Sequence, residues 1–206
     1  RAYPVSMVSS AQHFEFLRAG IKRASELNTP KVSNLPAWCV QSLLGRISLI
    51  VGDGNTSAAA HLIATAQQQH EPCAWLTQQE CEPYIPDLES AGIAIGALVT
   101  IRLNDEQQTA RVADLLARSG GVGLMIIDAP KNLTIGLLKR LSKHAAQHRM
   151  AVVILAERIQ LPHAFSLIVK AQPTPAGTQH IQAIKDRIKT AKWQHTEFYH
   201  AVPGCP

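Results

Sequence analysis

Residues 45–60 read GRISLIVGDGNTSAAA and combine an apolar run, a glycine-containing turn and an Ala-rich stretch. The apolar run Ile47–Val51 predicts a buried strand, and the Ala-rich stretch predicts a helix over residues 58–69. A helix N-terminus presents backbone N–H groups that attract anions, and glycine lets an anion approach the backbone closely. The segment is therefore a candidate phosphate site.

The side chains that a nucleoside triphosphate needs are missing from this turn. In phosphate-binding loops a Lys neutralises the phosphates and a Ser or Thr hydroxyl holds Mg²⁺. In the register set by Gly52, the Gly-Lys-Thr of that pattern falls on Ser57, Ala58 and Ala59. The sequence therefore predicts a degenerate loop with no tight ATP binding, no catalytic residue and no cofactor, and it leaves a weak anion site open.

Other catalytic or metal-binding chemistry finds little support. His144 and His148 lie four residues apart on a predicted helix, but a metal needs three or four ligands and no acidic residue or Cys is near them in sequence. No Gly-x-Ser-x-Gly turn is present, and the four cysteines follow no zinc or redox spacing. We therefore predict no metal site, free thiols and an intracellular, cytoplasmic location.

Charge is distributed unevenly along the chain, whose net charge is +5. Residues 1–130 hold 9 Lys/Arg and 12 Asp/Glu, whereas residues 131–206 hold 11 and 3, a balance of +8. A basic C-terminal third can meet nucleic acid, an acidic partner or the acidic part of another copy. The predicted phosphate contacts are Lys139, Arg140 and Lys143 on a helix and Lys185, Arg187, Lys189 and Lys192 near the last strands.

Strands and helices alternate from Ile47 to Ala156, which is typical of a parallel sheet covered by helices on both faces. After Pro162, residues 164–170, 178–184 and 195–200 are predicted as antiparallel edge strands without helices between them. The longest apolar stretch has seven residues, too few to cross a membrane. Before the core, residues 1–34 are predicted as an amphipathic helix and a connector, with an apolar stripe at Phe14, Leu17 and Ile21 that covers the core or docks a partner.

From about residue 35 to its end, the chain resembles the RecA-type recombinase core. The segment GRISLIVG resembles the first strand of that core, CAWL at 73–76 the second, and LARSGGVGLMIID at 116–128 the approach to its Walker B Asp. AVVILAERI at 151–159 and KDRIKTAKWQHTEFYH at 185–200 resemble later strands in the same order. The resemblance implies an α/β fold for residues 35–206: a three-layer αβα arrangement with a mainly parallel sheet, extended by C-terminal antiparallel strands.

Several positions depart from the RecA pattern. The family's catalytic Glu falls on Gln79, next to Glu80, and its phosphate-sensing Gln falls on Glu157. Asp128 keeps the Walker B place, but the links at 129–133 and 160–163 are short where RecA carries its long DNA-binding loops. The resemblance thus implies a RecA fold without ATPase activity and without the filament-type grip on DNA.

Two bacterial families with that description are similar to this chain. The ImuA group supports error-prone translesion synthesis beside RecA and specialised polymerases, and the SulA group blocks cell division by binding FtsZ. The basic run at 185–200 favours the ImuA group, which implies a non-catalytic adaptor of the DNA-damage (SOS) response, either monomeric or weakly oligomeric. The SulA-like division inhibitor and a small, non-specific DNA-binding module remain the alternatives.

Overall fold

An eight-stranded sheet runs through the part of the protein that our computed structural model describes, residues 35–78, 83–128, 134–189 and 192–198. The strands lie in the order β3-β2-β4-β5-β1-β6-β7-β8. Their bounds are β1 Ile47–Val51, β2 Cys73–Gln78, β3 Leu98–Leu103, β4 Leu124–Ile127, β5 Ala151–Ala156, β6 Leu167–Pro173, β7 Thr178–Asp186 and β8 Gln194–Phe198.

The central strands are apolar along their whole length because both faces of the sheet are covered. Every residue of β1 and β4 is buried, and the pairs β1–β5, β4–β5, β2–β4 and β2–β3 are all parallel. Parallel strands need crossover connections, and helices in those crossovers cover the two faces. The predicted parallel sheet is confirmed.

Helices form the two outer layers. Their bounds are α1 Val40–Leu43, α2 Asn55–Gln68, α3 Ile85–Ser90, α4 Glu106–Ser119 and α5 Ile135–His148. On one face, Leu62 and Ile63 of α2 pack with alternate strand residues such as Trp75. On the other face, Leu138 of α5 and Ala113 of α4 pack with the remaining strand residues. The three-layer αβα arrangement predicted from the sequence is therefore present.

The C-terminal strands correct one expectation. β7 is antiparallel to β6 and β8 is antiparallel to β7, but β6 runs parallel to β1. Residues 157–166, with a 3₁₀ turn at Pro162–Ala164, carry the chain from the end of β5 back to the start of β6. The fully buried ring of Phe165 anchors this link to the core. The sequence shows no helix between β5 and β6, and this favoured an antiparallel β6. The structure shows that the parallel crossover forms without an α-helix.

The buried face of α4 matches the predicted one in part. The sequence predicts Val112, Leu115 and Leu116 on the core side. Val112 and Leu116 are half-buried and pack against the core, whereas Leu115 is 56% exposed. Ala113 and Ala117 are fully buried, and their small side chains let this helix approach its neighbours closely.

Three expectations concern residues that lie outside the described part of the chain. Phe14, Leu17 and Ile21 belong to residues 1–34, which lie outside the described residues, so the division into 1–34 and 35–206 stays a prediction. Gln79 and Glu80, as well as the link at 129–133, lie outside them too. Among the helices that are described, none has the length and apolarity needed to cross a membrane.

Candidate functional site

The turn at residues 52–54, which we call the β1–α2 turn, lies at the carboxyl end of β1. On either side of β1 are β5 and β6, with Val51 paired to Ala156 and to Lys170. Ligands of open α/β sheets bind in the crevice outside the carboxyl ends of the parallel strands. The strand, turn and helix predicted from the sequence are all present, so the candidate phosphate site lies at the expected place in the sheet.

The β1–α2 turn is tight and rests against β6. The amide of Asn55 donates to the carbonyl of Gly52 at 3.0 Å, and the amide of Gly54 donates to the carbonyl of Ala171 at 3.2 Å. Gly52 has φ +99°, and a Cβ added there would lie 2.5 Å from the Ala171 oxygen. Glycine is therefore required at residue 52 by both backbone conformation and space.

Backbone donors at the start of α2 are directed to acceptors of the protein itself. The amide of Thr56 donates to Asn55 Oδ1 at 2.6 Å, and that of Ala58 donates to the carbonyl of Gly54 at 2.9 Å. Together with the amides of Gly54 and Asn55, four N–H groups of this segment have internal acceptors. A phosphate bound here would have to replace those hydrogen bonds rather than meet unpaired donors.

The positions that align with a phosphate-loop Lys and Ser/Thr lie in the first turn of α2 and face the core. Ala58 and Ala59 are fully buried, and Ser57 is 4% exposed. Both alanines pack against strands of the sheet in the core cluster on the α2 side. A longer, charged side chain at either alanine would enter an apolar interior, where burying an unpaired charge is costly.

Carboxylates gather along the same edge of the sheet. Asp53 in the turn and Glu157 after β5 are exposed, and Asp128 after β4 is 5% exposed, with its amide donating to the Leu76 carbonyl at 2.8 Å. Because β4, β5 and β1 are adjacent, these groups follow three neighbouring strands. Their negative charge disfavours an anion at the edge, although the exposed guanidinium of Arg158, next to Glu157, offsets part of it.

One cation near the turn was missed by the sequence analysis. Lys170 of β6 pairs with Val51, and its Cγ lies 3.4 Å from the position of a Cβ on Gly52. The parallel pairing of β6 with β1 brings this side chain to the turn, and the expectation of an antiparallel edge strand concealed it.

A buried polar network lies beneath the turn. Gln179 of β7 is fully buried, and its Oε1 is 2.9 Å from the position of a Cβ on Gly54. Its Nε2 donates to Glu197 Oε1, and Trp38 Nε1 donates to Glu197 Oε2 at 3.1 Å. Trp38 and Gln179 thus meet at the carboxyl group of Glu197, beneath Gly54, although these residues are far apart in the sequence.

Two imidazoles lie beside that carboxyl group. His61 Nε2 is 3.4 Å and His195 Nε2 is 3.6 Å from Glu197 Oε2. Burial raises the pKa of Glu197 to about 7, although the hydrogen bonds from Gln179 and Trp38 favour its charged form. Burial also lowers the pKa of His195. No sequence motif indicated this cluster, because its members share no local spacing.

The predicted phosphate contacts fall into two groups. Lys139 and Lys143 are exposed on α5, where Arg140 Nε donates to Asp114 Oδ1 at 3.1 Å. In the second group, Lys185 Nζ donates to the carbonyl of Pro162, Arg187 to that of His163 and Lys189 to that of Leu35. Lys192 is exposed. The spacing of Lys185, Arg187 and Lys189 predicts that they share one face of a strand, but Arg187 and Lys189 follow the end of β7, so only Lys185 lies on it.

The remaining candidates are a histidine pair and the cysteines. The rings of His144 and His148 stack with centroids 6.3 Å apart, and no third His, Cys, Asp or Glu of the described residues joins them as a metal site. Cys39 and Cys73 are free thiols, and burial raises the pKa of Cys73 to about 12, so it is not a ready nucleophile.

Comparisons with known proteins relate the chain to RecA. It is 34% identical over 89 residues to protein RecA of Rickettsia massiliae (strain Mtu5), which is 41% of this chain and 25% of that protein. Protein RecA of Rickettsia bellii (strain OSU 85-389) matches with the same figures. The chain thus spans about a quarter of the length of the curated relatives it matches. No family model matches it.

Among solved structures, the crystal structure of the RadB recombinase superimposes with a TM-score of 0.60. The match covers 75% of this chain and 87% of that one at 14% sequence identity. The fold is therefore RecA-like, which confirms the predicted α/β class with its mostly parallel sheet and antiparallel C-terminal strands. The assignment to the ImuA or SulA group stays a prediction.

Proposed function

We propose that this chain is a RecA-like protein that works by binding other proteins in a DNA-damage or recombination context and does not hydrolyse ATP. The likeness to protein RecA over 89 residues supports the context. The β1–α2 turn supports the absence of ATPase activity. Four N–H groups of the turn and the helix start have internal acceptors, and the positions aligned with the phosphate-binding Lys and Ser/Thr are buried alanines.

The observation that carries this proposal is the packing of Ala58 and Ala59. A triphosphate site needs an ammonium and a metal-holding hydroxyl that point out of the helix start toward the phosphates. Here the same two positions point into the core and are fully buried. The charged groups that follow β1, β4 and β5 are the carboxylates Asp53, Asp128 and Glu157 and the exposed cation Arg158. Lys170 of β6 is a second cation beside the turn.

We expect Mg²⁺-ATP at millimolar concentration to leave the melting temperature of the full chain unchanged. A ligand at 100 times its Kd stabilises a protein by about 2.7 kcal/mol, which a thermal melt detects easily. RecA protein in the same assay is the positive control, and phosphate release is measured in parallel. A rise of several degrees, or ATP-dependent phosphate release above a no-protein blank, would contradict the proposal.

The adaptor role is tested by measuring which purified proteins the chain binds. In the ImuA-like form of the proposal, immobilised chain retains purified RecA or a translesion polymerase, and retention does not depend on ATP. Retention of FtsZ alone would replace this role by the SulA-like one. Binding of none of these purified proteins at micromolar concentration would remove both.

A further inference from the structure

Helices α4 and α5 lie side by side on one face of the sheet. α4 packs on β2 and β3, α5 packs on β1 and β5, and the two helices contact each other. Their inner sides are formed by small and apolar residues such as Ala113 and Leu138. We call the outer side of this helix pair, which is exposed among the described residues, the α4–α5 face.

The α4–α5 face is strongly basic. All Lys and Arg residues of the two helices are exposed: Arg111, Arg118, Lys139, Arg140 and Lys143. The acidic residues of these helices are Glu106, in the first turn of α4, and Asp114, which accepts from Arg140 Nε at 3.1 Å. Within the described residues, the other cations of the face form no ion pair.

The residues outside the described part of the chain are net positive. Residues 1–34 hold five Lys or Arg and two Glu, and residues 129–133 add one Lys. Residues 79–82 hold two Glu, and residues 190–191 and 199–206 hold no Lys, Arg, Asp or Glu. These segments offer no excess of negative charge to match the α4–α5 face, so its acidic complement is another molecule.

An apolar side chain lies between two of these cations. Leu115 is 56% exposed, and it follows Arg111 by four residues and precedes Arg118 by three. Residues three and four apart lie on the same side of a helix, and seven residues are two turns, or about 10 Å. α4 therefore presents a stripe of Arg, Leu and Arg, and the neighbouring helix adds Arg140 and Lys143.

We propose that the α4–α5 face binds an acidic amphipathic helix of another protein, with carboxylates on Arg111, Arg118 and Lys143 and an apolar side chain against Leu115. Two adjacent helices form a groove in which a third helix can lie. Guanidinium groups bind carboxylates through two parallel hydrogen bonds, which fix the orientation of a partner. This inference rests on the proposed function, because it names the surface through which the chain binds a protein.

The composition of the face favours a protein partner over a nucleic acid. Neither helix contains Phe, Tyr or Trp, the side chains on which unpaired bases stack best. Phosphates bound to the cations would leave Leu115 in water, whereas an apolar side chain of a partner helix removes it from water. The experiment below separates the two classes of partner.

The probe is a fluorescently labelled 21-residue helical peptide in which Glu residues seven apart flank a Leu, as Arg111 and Arg118 flank Leu115. A scrambled peptide of the same composition is the reference, and anisotropy is measured with the full chain at 50 and 200 mM salt. We expect Arg111→Gln with Arg118→Gln to weaken binding about 10-fold and to reduce its salt dependence. Leu115→Ser is expected to weaken binding about 5-fold at both salt concentrations.

The matched control is Arg158→Gln with Lys192→Gln, which removes two exposed cations outside α4 and α5. It is expected to leave the affinity within about two-fold. Each variant is first shown to keep the melting temperature of the wild type. Accessibility is measured in the full chain with Leu115→Cys, whose thiol is expected to react with a maleimide in the native protein while buried Cys73 does not.

The proposal is overturned if the scrambled peptide binds as tightly as the matched one, or if residue 115 reacts with maleimide only after unfolding. It is also overturned if oligo-dT or a 20-base-pair duplex displaces the peptide at a lower concentration than unlabelled peptide does.

The retention assay with RecA and a translesion polymerase separates this inference from the proposed function. Equal retention of a partner by the wild type and by Arg111→Gln with Arg118→Gln would overturn this inference and leave the proposed function intact. Retention of neither protein, together with specific binding of the matched peptide, would remove the proposed partners and support the α4–α5 face as a binding surface.

Discussion

Asp186→Ala is expected to lower the free energy of unfolding by about 3–5 kcal/mol, a large part of the stability of a domain of this size. The carboxylate accepts from Arg46 at 2.5 Å, from Trp193 Nε1 at 2.9 Å and from the amide of Ile188 at 2.9 Å. Its side chain is fully buried. Removing it leaves these donors without their acceptor.

The large cost comes from Arg46, which stays buried and charged. Its side chain is 4% exposed, and its other bonds go to Ser166 and the Ser42 carbonyl, none of which carries a compensating charge. An uncompensated buried cation is much more expensive than the loss of one hydrogen bond. Because this ion pair joins the start of β1 to the end of β7, its loss also loosens the C-terminal strands.

Urea denaturation of Asp186→Ala measures this effect, and Asp114→Ala is the matched control. Asp114 pairs with Arg140 at 3.1 Å, but the side chains of Arg140 and Asp114 are 56% and 29% exposed, so the expected loss is about 0–1 kcal/mol. Equal, small losses in both variants would show that the Arg46–Asp186 pair contributes no more than a surface pair.

The same carboxyl group predicts acid sensitivity. Burial by itself would raise the pKa of Asp186, but the amides of Ile188 and Lys189, the Trp193 indole and the Arg46 guanidinium hold it below its usual value. A carboxyl whose pKa is lowered by folding stabilises the protein above its ordinary pKa, and this contribution is lost as pH falls through the folded value.

The sequence was sufficient to predict the layers of this fold because its central strands and helices have strong local patterns. Continuous apolar runs such as Ile47–Val51 are typical of strands buried on both faces. In α5, the helical spacing of Leu137, Leu138 and Leu141 predicts one inner face, and all three are buried. The direction of β6 depends instead on how residues 157–166 cross the sheet, which local pattern does not record.

The candidate site was predictable in position but not in its packing. Glycines after an apolar strand indicated the β1–α2 turn, yet the burial of Ala58 and the approach of Lys170 depend on how α2 and β6 lie against β1. The network of Trp38, Gln179 and Glu197 spans 159 residues of sequence. Such contacts follow from the completed sheet and have no signature in the sequence alone.

Glu197→Gln is expected to make the protein more stable by about 3 kcal/mol at pH 8 and by less than about 1 kcal/mol near pH 5. Burial raises the pKa of Glu197 from 4.5 to about 7, so the folded state keeps a proton that the unfolded state releases. As pH rises from about 4.5 to 7, the folded protein is therefore destabilised relative to the unfolded chain. Glutamine keeps the shape of the side chain and cannot ionise.

Because histidines lie beside Glu197, comparing the stability of Glu197→Gln with that of the wild type is more informative than the pH dependence of the wild-type stability alone. His195 has a pKa lowered by burial, so its contribution has the opposite sign: stability is lost as pH falls below its ordinary value. His61 faces the same oxygen from α2 at 3.4 Å. Subtracting the wild-type stability from that of Glu197→Gln at each pH gives the titration of the carboxyl group together with its coupling to the two imidazoles.

Chemical denaturation at half-unit steps from pH 5 to 8 gives the difference curve, and Glu157→Gln, at an exposed carboxylate, is the control variant. If Glu197→Gln is instead less stable than the wild type at pH 8, the ionised carboxylate is stabilised there by Trp38, Gln179 and a protonated imidazole more than burial penalises it. A variant more stable than the wild type at pH 8 therefore shows that the folded protein favours a protonated Glu197. A less stable variant shows that it favours the ionised carboxylate paired with a histidine.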